Sequence, residues 1–327
     1  MRYLPVLAVL ILTIPISGCL EDGEDPPSEE NEDTVAEYPD TTREESLPGD
    51  IAKRTPSGDA TSPILHSDIF SEPIPMEGPV NTAGAEDSPF ILPDGKTFYF
   101  FFTPDVRVPP EKQILDNVTG IWVTELDSGR WSEPERVWLQ DPGKLALDGA
   151  HWVGDDEIWF ASAREGYTGL HYFRAEKVNG TFQNWEYTGD RLNVEIEMGE
   201  MHRVGDTIYF HSPRNGGKGG NDIWRTSLVG GRWEDPVNME EINSPSEESL
   251  PWVSEDENEI FFTRTYRGTP GIFRSVKVNE TWSDPELILS QFAGEPTLDG
   301  EGNLYFVHHY FESGDMIEAD IYYCQRL

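Results

Sequence analysis

Five short aromatic-apolar triplets recur along this chain at intervals of 44 to 60 residues. They are Phe98-Tyr99-Phe100, Ile158-Trp159-Phe160, Ile208-Tyr209-Phe210, Ile260-Phe261-Phe262 and Leu304-Tyr305-Phe306. Each triplet follows a turn signal, such as Asp94-Gly95 or Gly205-Asp206, and a short apolar run precedes that turn. Because a unit of this size cannot bury its apolar faces alone, the repeat predicts one supersecondary unit copied five times and packed side by side.

Each unit contains further strand-like runs. A second apolar run follows every triplet, beginning at Gly120, Gly169, Asp222, Gly271 and Asp320. Four units add a fourth element, at Trp131, Phe182, Trp233 and Trp282. Four short strands in roughly 45 to 50 residues, without sustained helical periodicity, are typical of a β-propeller blade. The sequence predicts an all-β chain that forms a single five-bladed β-propeller with four-stranded antiparallel blades.

The fourth strand of the last unit is displaced to the other end of the repeats. The last unit reaches Leu327 just after its third strand, whereas Ile69-Phe70-Ser71-Glu72-Pro73 copies the Trp-Ser-x-Pro element ahead of the first unit. Pairing of N-terminal with C-terminal strands removes free sheet edges. We therefore expect residues 68–76 to complete the blade that begins near Glu295.

The third and fourth units carry the most specific motifs. The run from Ser212-Pro213-Arg214-Asn215 to Asp222-Ile223-Trp224, then Trp233-x-x-Pro236 and Ile242-Asn243-Ser244-Pro245, resembles the WD-like propeller repeat of TolB-type periplasmic proteins. The same repeat precedes OmpA-like domains in some envelope proteins. The resemblance covers residues 68–324, and unit two departs from it most. It implies envelope scaffolding or binding, and it carries over no catalytic residue.

The N-terminus resembles a bacterial lipoprotein signal. Met1-Arg2-Tyr3 precedes an apolar run from Leu4 to Ile16, which ends in Ile16-Ser17-Gly18-Cys19 and is too short to span a bilayer. The resemblance implies a signal peptide at residues 1–18 and acylation of Cys19. The protein would then be exported and lipid-anchored to the cell membrane or outer membrane, facing the periplasm or the cell exterior. An ordinary secretory signal with an incidental cysteine is the alternative.

Residues 20–62 hold fourteen acidic residues against Arg43, Lys53 and Arg54, with few large apolar side chains. Such a segment buries too little surface to offset its ordering entropy. We expect residues 19–62 to be a disordered acidic tether, with an acidic interaction tail as the alternative, and residues 63–327 to be the folded propeller.

The charge restricts the partners. The chain has a formal net charge of −37 at pH 7, of which −27 falls on residues 63–327 after the tether and signal are subtracted. A phosphate backbone would be repelled, so nucleic-acid binding is excluded as a function class. We expect a monomer without a cofactor that binds a basic protein or a glycan of the envelope, besides the membrane through its lipid.

Two sets of charged residues are expected on one face of the propeller. The acidic set lies at or just before the innermost strands and comprises Glu86, Asp87, Asp148, Glu200, Glu248 and Glu295. The other set lies at the ends of the second strands and in the loops beyond them, and comprises Arg164, Arg214, Arg264, Arg267 and the His308-His309-Tyr310 cluster. Converging carboxylates could coordinate a cation, act as general acid and base on a sugar, or bind a basic peptide. They could equally pair with the arginines and fasten neighbouring blades.

These patterns favour a binding or scaffolding propeller without catalysis. The alternative is a carboxylate-dependent, glycoside hydrolase-like enzyme with its site at the centre of the same face. His151 and His202 occupy equivalent positions in units two and three, where a polar repeat position and a metal pair are both possible.

Overall fold

The computed structural model of the chain describes residues 37–327, and most of its regular structure is β-strand, which confirms the all-β class. The predicted signal peptide, Cys19 and residues 20–36 lie outside the described residues. Between residues 37 and 327, no helix combines the length and apolarity needed to cross a membrane. The helical segments are α1 (Arg43–Ser46), a 3₁₀ turn (Pro56–Gly58), α2 (Pro110–Gln113) and a π-helical turn (Arg191–Glu195).

The strands follow the predicted repeat. Two short strands come first, β1 (Ile64–Leu65) and β2 (Ile74–Pro75). Unit one contains β3 (Ala85–Ile91), β4 (Thr97–Thr103), β5 (Gly120–Asp127), β6 (Arg130–Trp131) and β7 (Glu135–Arg136). Unit two contains β8 (Ala146–Val153), β9 (Glu157–Arg164), β10 (His171–Val178) and β11 (Thr181–Tyr187).

The remaining units have the same antiparallel order. Unit three contains β12 (Met201–Val204), β13 (Thr207–Ser212), β14 (Asp222–Val229), β15 (Arg232–Trp233) and β16 (Val237–Asn238). Unit four contains β17 (Glu248–Val253), β18 (Glu259–Tyr266), β19 (Thr269–Val278), β20 (Thr281–Trp282) and β21 (Glu286–Ser290). Unit five contains β22 (Ala293–Leu298), β23 (Leu304–Glu312) and β24 (Asp315–Cys324).

The two N-terminal strands extend the last two units. β1 pairs with β21 of unit four, and β2 pairs with β24 of unit five, where Ile74 lies opposite Tyr323. Units one and five share one sheet through a single parallel bridge between Ala85 and Ala319. Among residues 37–327, none of the four sheets closes on itself.

The aromatic triplets form the core because they are buried on both faces of the second strand. The first and third residue of every triplet are fully buried, and the middle residue packs in a different cluster. Tyr99 of unit one packs with Phe160 of unit two, and Trp159 of unit two packs with Phe210 of unit three. The same contact joins unit three to unit four and unit four to unit five. Tyr305 of unit five then packs with residues of the unit-one triplet. The alternation of each triplet therefore joins each unit to the next.

The structure corrects the predicted tether over its described part, residues 37–62. Residues 37–62, which we call the N-terminal strap, lie against units one and five instead of forming a disordered segment. Arg43 is only 1% exposed, and Lys53 contacts Glu318 and Asp320. The expectation from composition fails because Arg43, Lys53 and Arg54 each pair with a carboxylate of the folded body, which a count of charges does not reveal.

Cys324 is expected to resist alkylation until the protein unfolds. Its side chain is fully buried at the end of β24, and burial raises the pKa of its thiol to about 12 from 9.0. Since the thiolate is the nucleophile, its population falls by about three orders of magnitude. Iodoacetamide labelling of a Cys19→Ser chain, followed by mass spectrometry, should modify Cys324 in denaturant and spare it in native buffer. Equal labelling rates in the two buffers would show that the thiol is accessible in the native state.

Candidate functional site

Three of the six predicted acidic residues belong to buried ion pairs. Glu86, Asp148 and Glu248 occupy one register position, opposite the residue that lies two places after the triplet of their own unit. All three are fully buried. In unit four Arg264 Nε donates to Glu248 over 2.6 Å, and Arg264 Nη2 donates to the Ile242 carbonyl. We call this carboxylate, arginine and loop-carbonyl arrangement a lock.

Unit two has a lock of the same kind. Arg164 Nη2 donates to Asp148 over 2.9 Å and to the Leu139 carbonyl over 3.0 Å. The structure therefore brings two of the predicted arginines to two of the predicted acids. In both units the guanidinium balances the buried carboxylate and ties the innermost strand to the loop that precedes it.

Unit one has a lock whose arginine comes from the strap. Arg43 Nη1 donates to Glu86 over 3.1 Å and to the Val80 carbonyl over 2.8 Å. The guanidinium lies 5.0 Å from the Phe100 ring centre and 5.2 Å from that of Phe102. Burial nevertheless raises the pKa of Glu86 to about 7, although Arg43 opposes the shift. Arg43 thus supplies from residues 37–62 the cation that units two and four carry on their own strands.

Unit five has a related arrangement, in which the strap supplies the carboxylate and the strand supplies a histidine. Ala293 stands at the carboxylate position, and His308 stands opposite it. Asp59 of the strap contacts His308, with 2.9 Å between Asp59 Oδ2 and His308 Nε2. Burial lowers the pKa of His308, and Asp59 partly opposes that effect. The strap therefore completes the lock position in units one and five, which adjoin at the two ends of the repeat region.

Unit three has no such lock in the described chain. Arg214 contacts no carboxylate there; its guanidinium lies 5.1 Å from the Trp224 ring centre, and its Nη1 is buried without a hydrogen-bond partner. Glu200 does not pair with it. The two predicted sets of residues consequently meet in units two and four and stay apart in unit three.

Glu200 and Glu295 instead line a central cavity of about 50 Å³. The innermost segment of every unit contributes to its wall, through residues 88–90, 150–151, 200–202, 250–252 and 295–297. Asp87 and His309 lie beside Glu295: one ligand atom of each of these three residues falls within 4.8 Å of the other two. We call Asp87, Glu200, Glu295 and His309 the axial cluster.

β-Bulges place these carboxylates at the cavity. The innermost strands of units one, two, four and five shift register at a residue with positive φ, namely Ser88, Ala150, Leu250 and Glu295. A bulge breaks the strict alternation of side chains along a strand. Asp87, just before the bulge residue of unit one, and Glu295, at the bulge of unit five, therefore reach one point. Glu200 immediately precedes β12 of unit three, whose residues pair in regular register, and its side chain lines the same cavity.

The pKa values of the carboxylates in the axial cluster shift in opposite directions. Burial and the charge of Asp87 raise the pKa of Glu200 to about 8 and that of Glu295 well above its usual range. Burial would raise the pKa of Asp87 as well, but the neighbouring His309 and the backbone N–H of Ser88 hold it below its ordinary value. Like charges this close cannot all ionise, so the cluster holds protons at neutral pH unless a cation compensates it.

Three histidines near the cluster are held neutral. Burial lowers the pKa of His151 and His202 to about 3 and that of His211 to about 4. His151 and His202 flank Phe90, at ring-centre distances of 6.1 and 6.0 Å, and both line the central cavity. Both nitrogens of His151 are buried without a hydrogen-bond partner in the described structure. The predicted equivalence of the two histidines is wrong: His202 lies opposite the middle triplet residue of unit three, whereas in unit two that position belongs to Trp152, the residue after His151. Both imidazoles nevertheless line the same cavity.

Sequence reasoning missed the division of the acids into two groups. The signal was present as the doublet Glu86-Asp87, since neighbouring strand residues face opposite ways and two acids in succession serve two environments. The bulges obscured it, because they move the axial acid by one position between units one and five. His309 follows His308 in the same way; it was expected on the same face as the acids, but its approach to Asp87 and Glu295 in particular was not predicted.

Comparison with known proteins yields structural likeness alone. No family model and no curated protein matches the chain. Similar solved structures include TolB from Acinetobacter baumannii, at 12% identity and a TM-score of 0.43 over 74% of this chain and 55% of that one. A protein of unknown function from Dyadobacter fermentans reaches 12% identity and 0.45 over 79% and 99%. Bacteroides ovatus xyloglucan PUL GH43B reaches 14% and 0.47 over 77% and 54%. This chain spans about half of TolB and of GH43B, and no function is transferred at these values.

Proposed function

We propose that the five units are the blades of a single β-propeller and that residues 68–76 close it as the outer strand of the last blade. The packing of Tyr305 against Phe98 and Phe100 supports this ring, because it repeats between units five and one the contact that joins every other pair. The central cavity supports it also, since each unit contributes one wall segment.

An asparagine clamp supports the same closure. Asn243, ahead of unit four, bonds both the N–H and the C=O of Ile223 in unit three. Asn81, ahead of unit one, bonds both backbone groups of Ile321 in unit five. The connection between successive units thus recurs at the junction of the chain ends, where β2 lies along β24.

On this ring we propose an exported lipoprotein, anchored through Cys19, whose propeller acts as a binding or scaffolding module without catalysis. The size of the central cavity carries the proposal: at about 50 Å³ it accommodates an ion or a few water molecules, whereas pockets for organic ligands measure roughly 300 to 1,000 Å³. Three predicted acids are moreover held in locks. Recognition therefore uses the outer surface.

The loop end of unit two is the surface best suited to a partner. Leu145, Tyr167 and Leu170 are exposed there, and the Leu145 carbonyl accepts a hydrogen bond from Glu165, two residues before Tyr167. An apolar patch beside carboxylates on a protein of charge −37 suits a basic protein segment with apolar side chains. A glycan stacking on Tyr167 is the other partner class.

A hydrolase is the second candidate, because one observation favours it. The pKa of Asp87 lies below its usual value while that of Glu200 is about 8, and acid–base catalysis uses such a pair of carboxylates. The cavity beside them is smaller than one sugar ring needs, so we rank hydrolysis second.

One pull-down experiment with three proteins tests the proposal. Wild type, Leu145→Ser/Leu170→Ser and the control Val229→Ser/Val278→Ser, whose two valines are also exposed, are used to capture envelope proteins at 50 and 300 mM salt. We expect wild type and control to retain a basic partner at low salt, and the unit-two variant to lose it at least tenfold. In the same cells, we expect a palmitate analogue to label the wild-type protein and not the Cys19→Ser variant.

Three results would contradict the proposal. Equal capture by all three proteins would rule out the unit-two surface as the binding site. Labelling that survives Cys19→Ser would rule out a lipid anchor on Cys19. Glycan hydrolysis by wild type that Glu200→Gln eliminates would establish the second candidate instead.

A further inference from the structure

The axial cluster differs from every lock in its charge balance. Glu86, Asp148 and Glu248 each contact a guanidinium, but within residues 37–327 no lysine or arginine pairs with Asp87, Glu200 or Glu295. The nearest basic group is the imidazole of His309, with 3.7 Å between His309 Nε2 and Asp87 Oδ2. Three carboxylates around the central cavity thus lack the cation that the same fold supplies elsewhere.

The donor atoms have the spacing of ligands that share one ion. One atom each from Asp87, Glu295 and His309 lies within 4.8 Å of the other two. Ligands about 2.0 to 2.2 Å from a common ion stand roughly 3 to 4.4 Å apart. Small adjustments of side chains therefore suffice to bring all three into coordination.

Two buried groups point to a ligand independently of this spacing. Glu295 is only 9% exposed, and its Oε2 has no hydrogen-bond partner in the described structure. His151, which lines the same cavity, has both ring nitrogens buried without partners there. Buried polar atoms in native proteins are ordinarily satisfied, so these two side chains call for an ion or water beside them.

We propose that Asp87, Glu295 and His309 bind one divalent transition-metal ion of the Zn²⁺ type on the axis of the propeller, with Glu200 or water completing its coordination. Imidazole nitrogen combined with carboxylate oxygen suits Zn²⁺, whereas Ca²⁺ takes six to eight oxygen ligands and Mg²⁺ retains most of its water. The ion joins units one and five, because Asp87 belongs to the first and Glu295 and His309 to the last. Its role is structural rather than catalytic.

The test uses the full-length chain with Cys19→Ser, which removes a thiol that could itself bind zinc. After chelator treatment, calorimetric titration with ZnCl₂ should show one site, and the melting temperature should rise by several degrees. CaCl₂ and MgCl₂ at the same concentration should shift it much less. X-ray absorption of the zinc-loaded protein should show nitrogen and oxygen ligands with one or two imidazoles.

Variants of the proposed ligands test where the ion binds. Glu295→Gln and His309→Gln should each weaken zinc binding by about tenfold or more, while retaining native circular dichroism. Glu312→Gln is the matched control on β23, since Glu312 is 65% exposed and pairs with Arg54. Absence of a single-site titration, unchanged affinity in both cluster variants, or absorption spectra without imidazole would each overturn the proposal. The absorption spectrum of the chain with Cys19→Ser alone, in which the axial cluster is intact, decides the matter even where a cluster variant fails to fold.

Discussion

Replacement of Arg43 by alanine should lower the free energy of unfolding by about 3 to 5 kcal/mol, the usual cost of removing one partner from a buried ion pair. The change leaves Glu86 fully buried without its guanidinium, and it removes contacts with Phe100, Phe102 and the Val80 carbonyl. Urea denaturation measures the difference. Arg54→Ala is the matched control, because Arg54 and Glu312 form an exposed pair in the same region, which should contribute less than about 1 kcal/mol.

The loss should depend on pH in a defined direction. The pKa of Glu86 in the folded protein, about 7, lies above its usual value of 4.5, so its stabilising effect is complete below pH 4.5 and disappears as pH rises through 7. Removal of Arg43 raises that pKa further. The variant should consequently lose more stability at pH 8 than at pH 5, and Glu86→Gln should reduce this difference. Similar losses for Arg43→Ala and Arg54→Ala would show that the strap is not fastened through Glu86.

A chain that begins at residue 77 should fail to fold stably, whereas a chain that begins at residue 63 should fold. The shorter chain lacks β1, β2 and Phe70, whose ring packs in the core of units four and five beside Phe261. Loss of one buried phenylalanine costs about 3 to 5 kcal/mol, and the exposed edge of β24 invites association. Together these effects approach the whole stability of a typical domain, about 5 to 15 kcal/mol.

The two truncations share the absence of the strap, so their difference isolates residues 63–76. Size-exclusion chromatography and thermal unfolding should show aggregation or a melting temperature lower by more than about 10 °C for the shorter chain. Phe70→Ala in the longer chain should give an intermediate value. A monomeric shorter chain with the melting temperature of the longer one would disprove closure by these residues.

The fold was accessible from the sequence because its signals are local. A continuous apolar run such as Ile158-Trp159-Phe160 indicates a strand that is buried on both faces, and the turn signals beside it indicate a hairpin. Five copies then imply five similar sheets. The triplets did not reveal which neighbour each face contacts, because that follows from the packing of one unit on the next.

The candidate site was only partly accessible, because its contacts are distant in sequence. Arg43 reaches Glu86 and Asp59 reaches His308 across separations of 43 and 249 residues. Composition correctly described residues 37–62 as poor in apolar groups, yet Arg43 and Lys53 pair with buried carboxylates of the folded body and hold the segment against it. Likewise, the shift of one position between Asp87 and Glu295 arises from backbone bulges, which no spacing rule in a single sequence reveals.

The strap also has a consequence for the order of folding. Its partners Glu86 and His308 lie in the first and last units, so they become neighbours only after those units have met. The strap can contact both partners together only after units one and five have met, so this bridging is expected to contribute little to the transition state. Interactions made after the rate-limiting step chiefly slow unfolding. We therefore expect residues 37–62 to prolong the lifetime of the native state without speeding its formation.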